Sequence, residues 1–359
     1  MLRYIAKRLF YGLLVILGVV TLVFFLFNIL PGDPARMMLG QHADAESIEI
    51  INRDLGLDQP LGKQYLAYLN DLSPISLHNN CNPSNYWYLD PAKYSPCVTI
   101  FRIGSTSIVA KAPYLRRSYQ SKRKVTEIIS TAFPQTAVLA LTAMAFALVV
   151  GVLLGVLAAL HKGSWIDQLA LFISTLGMSL PSFFAAILIA WFFAYVLSDI
   201  THLNMFGNLY SVDDYGCGEY IDLKNLILPA ITLGIRPLAV LVQLTKSSML
   251  EALSQDFIRT ARAKGMPRRR IIFRHALRNA LNPIVTSASG WLAGLLAGAV
   301  FVEYVFDWKG MGVVVVDGLE KYDFPVIMGS ILFICILLVF INIIVDIIYG
   351  ILDPRVRLK

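Results

Sequence analysis

Six apolar runs constrain this chain more than any motif does: residues 9–30, 133–160, 169–197, 226–244, 284–302 and 326–352. A helix of about 20 apolar residues rises roughly 30 Å, the thickness of the hydrocarbon layer of a bilayer. The runs therefore predict an all-α polytopic membrane protein with six transmembrane helices. Composition agrees, with 57% hydrophobic and only 15% charged residues where an average soluble domain has about a quarter charged. The first run is too long for the apolar region of a cleaved signal peptide, and "PGDPARMM" after it lacks a small-x-small cleavage pattern, so it is expected to be retained.

Orientation follows from basic residues in short loops, which stay on the cytoplasmic side. Arg3, Lys7 and Arg8 precede the first run, and Arg355, Arg357 and Lys359 follow the last, so both termini are expected inside. Segments 31–132, 198–225 and 303–325 then lie outside. The formal charge of +7 is a product of this sidedness, and no nucleic-acid motif accompanies it.

On the outer side fall Cys81, Cys97 and Cys217, in a compartment that is oxidising in bacteria, while Cys335 sits in the sixth run as an apolar filler. A Cys81–Cys97 disulfide closing "CNPSNYWYLDPAKYSPC" is the favoured pairing, and three unpaired outer thiols are the alternative. His78 precedes Cys81 by three residues, but the remaining histidines are scattered over both sides, so no metal site is expected. Helical spacing of Ile48, Ile51 and Leu55, and of Leu61, Tyr65, Tyr68, Leu69 and Leu72, predicts two short helices on the outer face.

The chain has no phosphate-binding G-x-x-x-x-G-K-[ST] loop, so any ATP must be hydrolysed elsewhere, and no zinc or serine-hydrolase pattern appears. Charges inside the runs are few: Arg236 in the fourth, Asp346 in the sixth and Glu303 at the outer end of the fifth. An intramembrane arginine is either a snorkelling or paired side chain or part of a passage that attracts a substrate carboxylate. Gly290, Gly294 and Gly298 recur every fourth residue in "GWLAGLLAGAV", a smooth face for close approach of another helix.

Between the fourth and fifth runs lies "RTARAKGMPRRRIIFRHALRNALNP", a dense basic stretch on the cytoplasmic side. Residues 251–264 are good helix formers, and Gly265 stands where a helix needs a left-handed C-terminal residue. Pro267 suits the first turn of a second helix, along which Arg270, Arg274 and Arg278 are spaced four apart. Such a hairpin, continuous with two spans, is either a lever that docks on another protein or an amphipathic helix lying on lipid.

Together with "FNILPGDPA", "LGLDQPLGKQYLAYL", "LAALHKGSWID", "GMSLPSFF", "LPAITL", "TKSSMLEAL", "VEYVFDWKGMG" and "VDIIYGILDPRVR", this stretch resembles the permeases of binding-protein-dependent ABC transporters, in the dipeptide/oligopeptide/nickel group. In such permeases the cytoplasmic loop reads Glu-Ala-Ala, three residues, glycine, and sits in a cleft of the ATPase. Carried over, Arg259, Thr260 and Ala261 take the first three places and Gly265 that of the glycine, with Met266 and Pro267 completing the turn; the glutamate is absent. The resemblance lapses over residues 73–112, which read as an outer insertion, either a docking surface or a structural cap.

On this basis the chain divides into 1–30 (cytoplasmic segment and first span), 31–132 (extracytoplasmic segment with the insertion 73–112) and 133–359 (permease core with five spans and the coupling loop 251–283). The resemblance implies the ABC importer permease fold in the bacterial cytoplasmic membrane, a second homologous permease subunit, two cytoplasmic ATPases and an extracytoplasmic solute-binding protein. It implies no enzyme activity and no cofactor on this chain, ATP and Mg belonging to the ATPases. Peptides are the expected cargo. Nickel or another small solute is the alternative within the group; a six-span secondary carrier is the alternative outside it.

Overall fold

Long unbroken stretches of Leu, Ala, Val and Ile satisfy their backbone internally, and in the computed structural model they form helices. The structure describes residues 2–29, 52, 58–80, 87–94, 96–213, 218–297 and 299–352. In chain order the elements are α1 (Leu2–Ile29), α2 (Leu61–Leu72), β1 (Ile75–Asn79), α3 (Pro91–Tyr94), β2 (Cys97–Ile103), β3 (Thr106–Lys111), α4 (Val125–Leu160), α5 (Trp165–Ser179), α6 (Ser182–Ile189), α7 (Ser198–Thr201), β4 (Tyr210–Val212), β5 (Glu219–Ile221), α8 (Lys224–Ser254), α9 (Asp256–Ala263), α10 (Arg268–Arg270), α11 (Leu277–Leu296), α12 (Val300–Val305), α13 (Met311–Glu320) and α14 (Phe324–Leu352). Wider π-helical turns, Ala190–Val196 and Ile271–Ala276, prolong α6 and α10.

Among the described residues, four helices are long and apolar enough to cross a membrane: α1 over Ala6–Phe27, α4, α8, and α14 over Phe324–Ile347. The third run, expected as one span, is a pair of helices bent by 113°. Pro181 lacks an N–H and pushes the preceding residue out of helical geometry, and Leu180 is accordingly extended at φ −73°, ψ 132°. The fifth run is divided between α11 and α12, with Ala299 at φ −94°, ψ 54° ending helical continuity. Helix α11 carries Arg278, Asn279 and Asn282 in its first turns, so no 18-residue stretch of it is as apolar as those in the other four.

The chain forms two compact units, one of residues 1–9, 132–313 and 337–359, the other of 10–131 and 314–336. In the first, α8 packs against α5 and α11, and small residues bring α4 onto it. A Cβ on Gly155 of α4 would lie 2.5 Å from Thr245 Cβ and 2.8 Å from the Val242 carbonyl, so only glycine permits this approach. Lys246 of α8 binds Asp167 at the start of α5 at 2.5 Å, and Asp167 also accepts the Gly163 N–H at 3.0 Å. Arg8 reaches Asp346 at 3.0 Å.

In the second unit, α1 meets the predicted helix α2 through Phe24, whose ring lies 5.2 Å from Tyr65 and 5.5 Å from Tyr68. The insertion contains an antiparallel sheet in the order β1–β3–β2. Alternation buries Ser76, His78, Ser107, Val109 and Lys111 on one face and exposes Ile75, Leu77, Val98, Phe101 and Ile103 on the other. Behind the buried face Tyr94 donates to Asp71 at 2.6 Å, and Lys111 donates to the Asp71 carbonyl at 2.5 Å and lies 4.8 Å from the Tyr94 ring.

Cys97 stands in the sheet opposite Lys111, and Cys81, the partner expected for it, lies outside the described residues, so the pairing is left as an expectation. Cys81, Cys217, Gly298 and nearly all of the helix expected around Ile48–Leu55 lie outside the described residues.

Candidate functional site

The basic hairpin is built from local rules. Helix α8 runs out of the apolar region to Ser254 and stops at Gln255, which is extended at φ −72°, ψ 153°. Residues 251–264, expected as one helix, are thus split at this residue. The second piece, α9, opens with Asp256 in its first turn, favourable to the helix dipole. It is amphipathic: Ile258 and Ala261 are buried, whereas Phe257, Arg259, Thr260 and Arg262 are exposed. Ile258 packs into a cluster with Val156, Met249, Ile271, Ile272 and Ala276, fixing α9 against the C-terminal ends of α4 and α8 and against the helix that follows.

Gly265 ends α9 with φ +71°, the left-handed residue that the sequence predicts. The Gly265 N–H donates to the Arg262 carbonyl at 2.9 Å and the Met266 N–H to the Ala261 carbonyl at 3.3 Å, the paired bonds of a Schellman motif. Met266 turns inward onto the same cluster as Ala261 and supplies the motif's apolar contact. Pro267 stands one place earlier than expected, as the N-cap of α10 at φ −63°, ψ 141°. Its carbonyl accepts from Arg270 at 2.9 Å and Ile271 at 3.2 Å. Arg270, Arg274 and Arg278 are all exposed, but the π-helical turns between them replace the uniform four-residue stripe. Arg259, Thr260, Gly265 and Pro267 therefore share an exposed tip, and Ala261 and Met266 anchor it from beneath.

A second feature lies higher on α8. A cavity of about 380 Å³ is walled by both halves of the bent pair, α8, α11 and α12. Arg236 opens into it and donates to the Leu180 carbonyl at 3.2 Å. Gly294 lines the same cavity, and a Cβ on Gly290 or Gly294 would meet nothing within 4 Å. Among the described residues, no group of three His, Cys, Asp or Glu side chains is placed to hold a metal ion.

Glu303 was legible only as a charge at the end of a run. In the structure it is completely buried, accepting from Thr136 Oγ1 at 2.7 Å and the Gly312 N–H at 2.6 Å. A Cβ on Gly310 would stand 2.5 Å from its carboxylate, and one on Gly312 2.8 Å from Oε2. The two glycines of "VEYVFDWKGMG" are there to admit the glutamate. Trp308, also fully buried, donates to the Gln135 carbonyl at 3.0 Å and closes the same corner.

A helical membrane protein with a bent helix pair around a cavity and a basic, partner-ready hairpin on its central helix has the parts of a transporter's membrane subunit. Residues 151–358 match the family described as binding-protein-dependent transport system inner membrane component, and residues 1–84 match its N-terminal family. The chain belongs to that family. It is 35% identical to a di/tripeptide transport system permease protein of Pseudomonas aeruginosa, with 99% of each chain covered. It is 34% identical to a glutathione transport system permease protein of Escherichia coli, with both chains fully covered. Among solved structures it resembles the inward-facing MetNI methionine ABC transporter at a TM-score of 0.50 and 17% identity, covering 64% of this chain and 97% of that one, a likeness of fold.

Proposed function

We propose that the chain is the membrane-spanning permease subunit of an ATP-driven importer of di- and oligopeptides. It crosses the bacterial cytoplasmic membrane six times with both termini inside. The bent pair serves as the third span, and α11 with α12 as the fifth. Its partners are a second homologous permease subunit, two cytoplasmic ABC ATPases that bind ATP and Mg, and an extracytoplasmic solute-binding protein that delivers the peptide. Relatives similar over their whole length, a di/tripeptide permease and a glutathione permease, support peptide cargo over nickel.

The observation that carries this reading is the hairpin. Its tip, Arg259, Thr260, Gly265 and Pro267, is exposed while Ile258, Ala261 and Met266 lock it to the ends of three helices. Force applied at such a tip reaches α8 directly, as coupling to an ATPase requires. A lipid-surface helix would direct its whole apolar face outward; here Ile258, Ala261, Ile271, Ile272 and Ala276 point into the protein, and Phe257 and Phe273 are left exposed beside the basic side chains. The exposed position of Gly290, where a Cβ would meet nothing within 4 Å, supports close contact with a helix of the second permease.

The test is recovery of the tagged chain from native membranes in mild detergent. The expected result is a second permease and two P-loop ATPases, with the ATPases lost on Gly265→Val. Recovery of the chain alone, under conditions that preserve a known transporter complex, would return the hairpin to a surface role and favour a secondary carrier.

A further inference from the structure

We propose that Arg236 is a specificity-determining residue of the passage, binding the C-terminal carboxylate of the peptide as it crosses; this rests on the peptide-importer reading above. Arg236 lies twelve residues into α8, about 18 Å along its axis and near the middle of the apolar run 226–244. A guanidinium there is costly unless it is paired or lines a polar cavity. Its one described hydrogen bond goes to the Leu180 carbonyl at 3.2 Å, and among the described residues it has no ion-pair partner. A guanidinium has five donors, so most of its hydrogen-bonding capacity is unspent.

Among the described residues that line the cavity around it, none is acidic. Its polar groups are Arg236, Ser182 and Thr232, and Trp291, Leu233 and Ile235 stand among the apolar ones. Thr232 already donates to the Leu228 carbonyl at 2.8 Å, which leaves Arg236 as the cation of the chamber. Arg236 is exposed at the open side of the chamber, and a fork-shaped cation without an ion-pair partner there matches a carboxylate better than any neutral group, because two parallel charge-assisted hydrogen bonds can form. Every unmodified peptide carries one such group whatever its side chains. Recognition at this point would thus hold peptides as a class and leave side-chain choice to other contacts.

The test uses the whole transporter, with its ATPases and solute-binding protein, in proteoliposomes. Alanyl-phenylalanine and its C-terminal amide are each supplied at saturation on the same binding protein. The quantity read is the ratio of acid to amide uptake, which does not depend on the amount of folded complex. Arg236→Gln should lower this ratio by about tenfold or more, chiefly by slowing the acid, and Arg236→Lys should restore part of it. If the wild type takes up peptide and the ratio is unchanged in Arg236→Gln, or both peptides slow equally, the carboxylate site is overturned alone. If the wild-type complex hydrolyses ATP but takes up neither peptide, the peptide reading fails and the carboxylate site with it.

Discussion

Gly265 offers the sharpest perturbation because space and backbone geometry separate there. A Cβ at this position would meet nothing within 4 Å, yet the residue holds φ +71°. The cost of a side chain is therefore torsional, about 1–2 kcal/mol for an ordinary L-residue in the left-handed region, larger for a β-branched one and smaller for asparagine. A loss of that size shifts the balance between a closed and an open turn by roughly 5- to 30-fold. Gly265→Asn should stay near wild type, Gly265→Ala should fall between, and Gly265→Val should be worst. The assay is ATP hydrolysis stimulated by loaded binding protein in the reconstituted complex, with hydrogen exchange over residues 256–270 reporting the turn itself. Both readouts should follow the same order. Equal activity in Asn, Ala and Val variants would refute the turn as a coupling element. An asparagine variant as poor as valine, with exchange unchanged, would mean that bulk at the tip matters and the backbone does not.

Two further outcomes follow from buried groups. Gly312→Ala would set a Cβ 2.5 Å from Val300 Cα and 2.8 Å from Glu303 Oε2, so overpacking alone should cost about 1–3 kcal/mol; a lowered melting temperature in detergent checks this, and unaltered melting refutes it. In the outer sheet, burial first and the Lys111 cation second hold the His78 imidazole below its usual pKa, with Asp71 opposing. The unfolded segment binds a proton near the ordinary value of about 6.5 while the folded one resists it, so the stability contributed by neutral His78 is present above that pH and is lost as pH falls below it. Proteolysis of the 73–112 segment should accelerate between pH 7.5 and 5.5 in wild type and respond less in His78→Phe; equal acceleration in both would remove the histidine from the account.

What could be read in the sequence was what short-range rules fix. Gly265, Pro267 and the apolar face of α2 needed only neighbours within a turn or two, and each stands where spacing put it to within a residue. The bend in the third run is invisible to a hydropathy average, which passes over Pro181 although the proline itself carries the break. The strand pair β2–β3 also had a local signature that went unused, with β-branched residues on both sides of Gly104–Ser105 and Gly104 at φ +58°. Glu303 was different in kind. Its partner Thr136 is 167 residues away, and no periodicity connects them. The same holds for Arg236, whose chamber is assembled from α5, α6, α8, α11 and α12 and has no sequence pattern of its own.

Helix α8 joins the two candidate sites. Arg236 and the Gln255 break are nineteen residues apart on one helix, about 28 Å, and the segment between them is tightly held. Gly155 lets α4 close onto Thr245 and Val242, and Lys246 ties the same turn to the start of α5 through Asp167. The α5 end of that tie leads in turn to Leu180, whose carbonyl receives Arg236. A displacement of the hairpin that moved α8 along its axis would therefore either carry α5 with it or strain the Lys246–Asp167 contact, which is largely buried, with side chains 17% and 7% exposed. Breaking one partner of such a pair leaves an uncompensated charge and costs several kcal/mol, whereas moving both together costs little. The physical expectation is rigid-body motion of α5 with α8, and a change in the chamber at the bend between Leu180 and Pro181, where no helical hydrogen-bond ladder resists it.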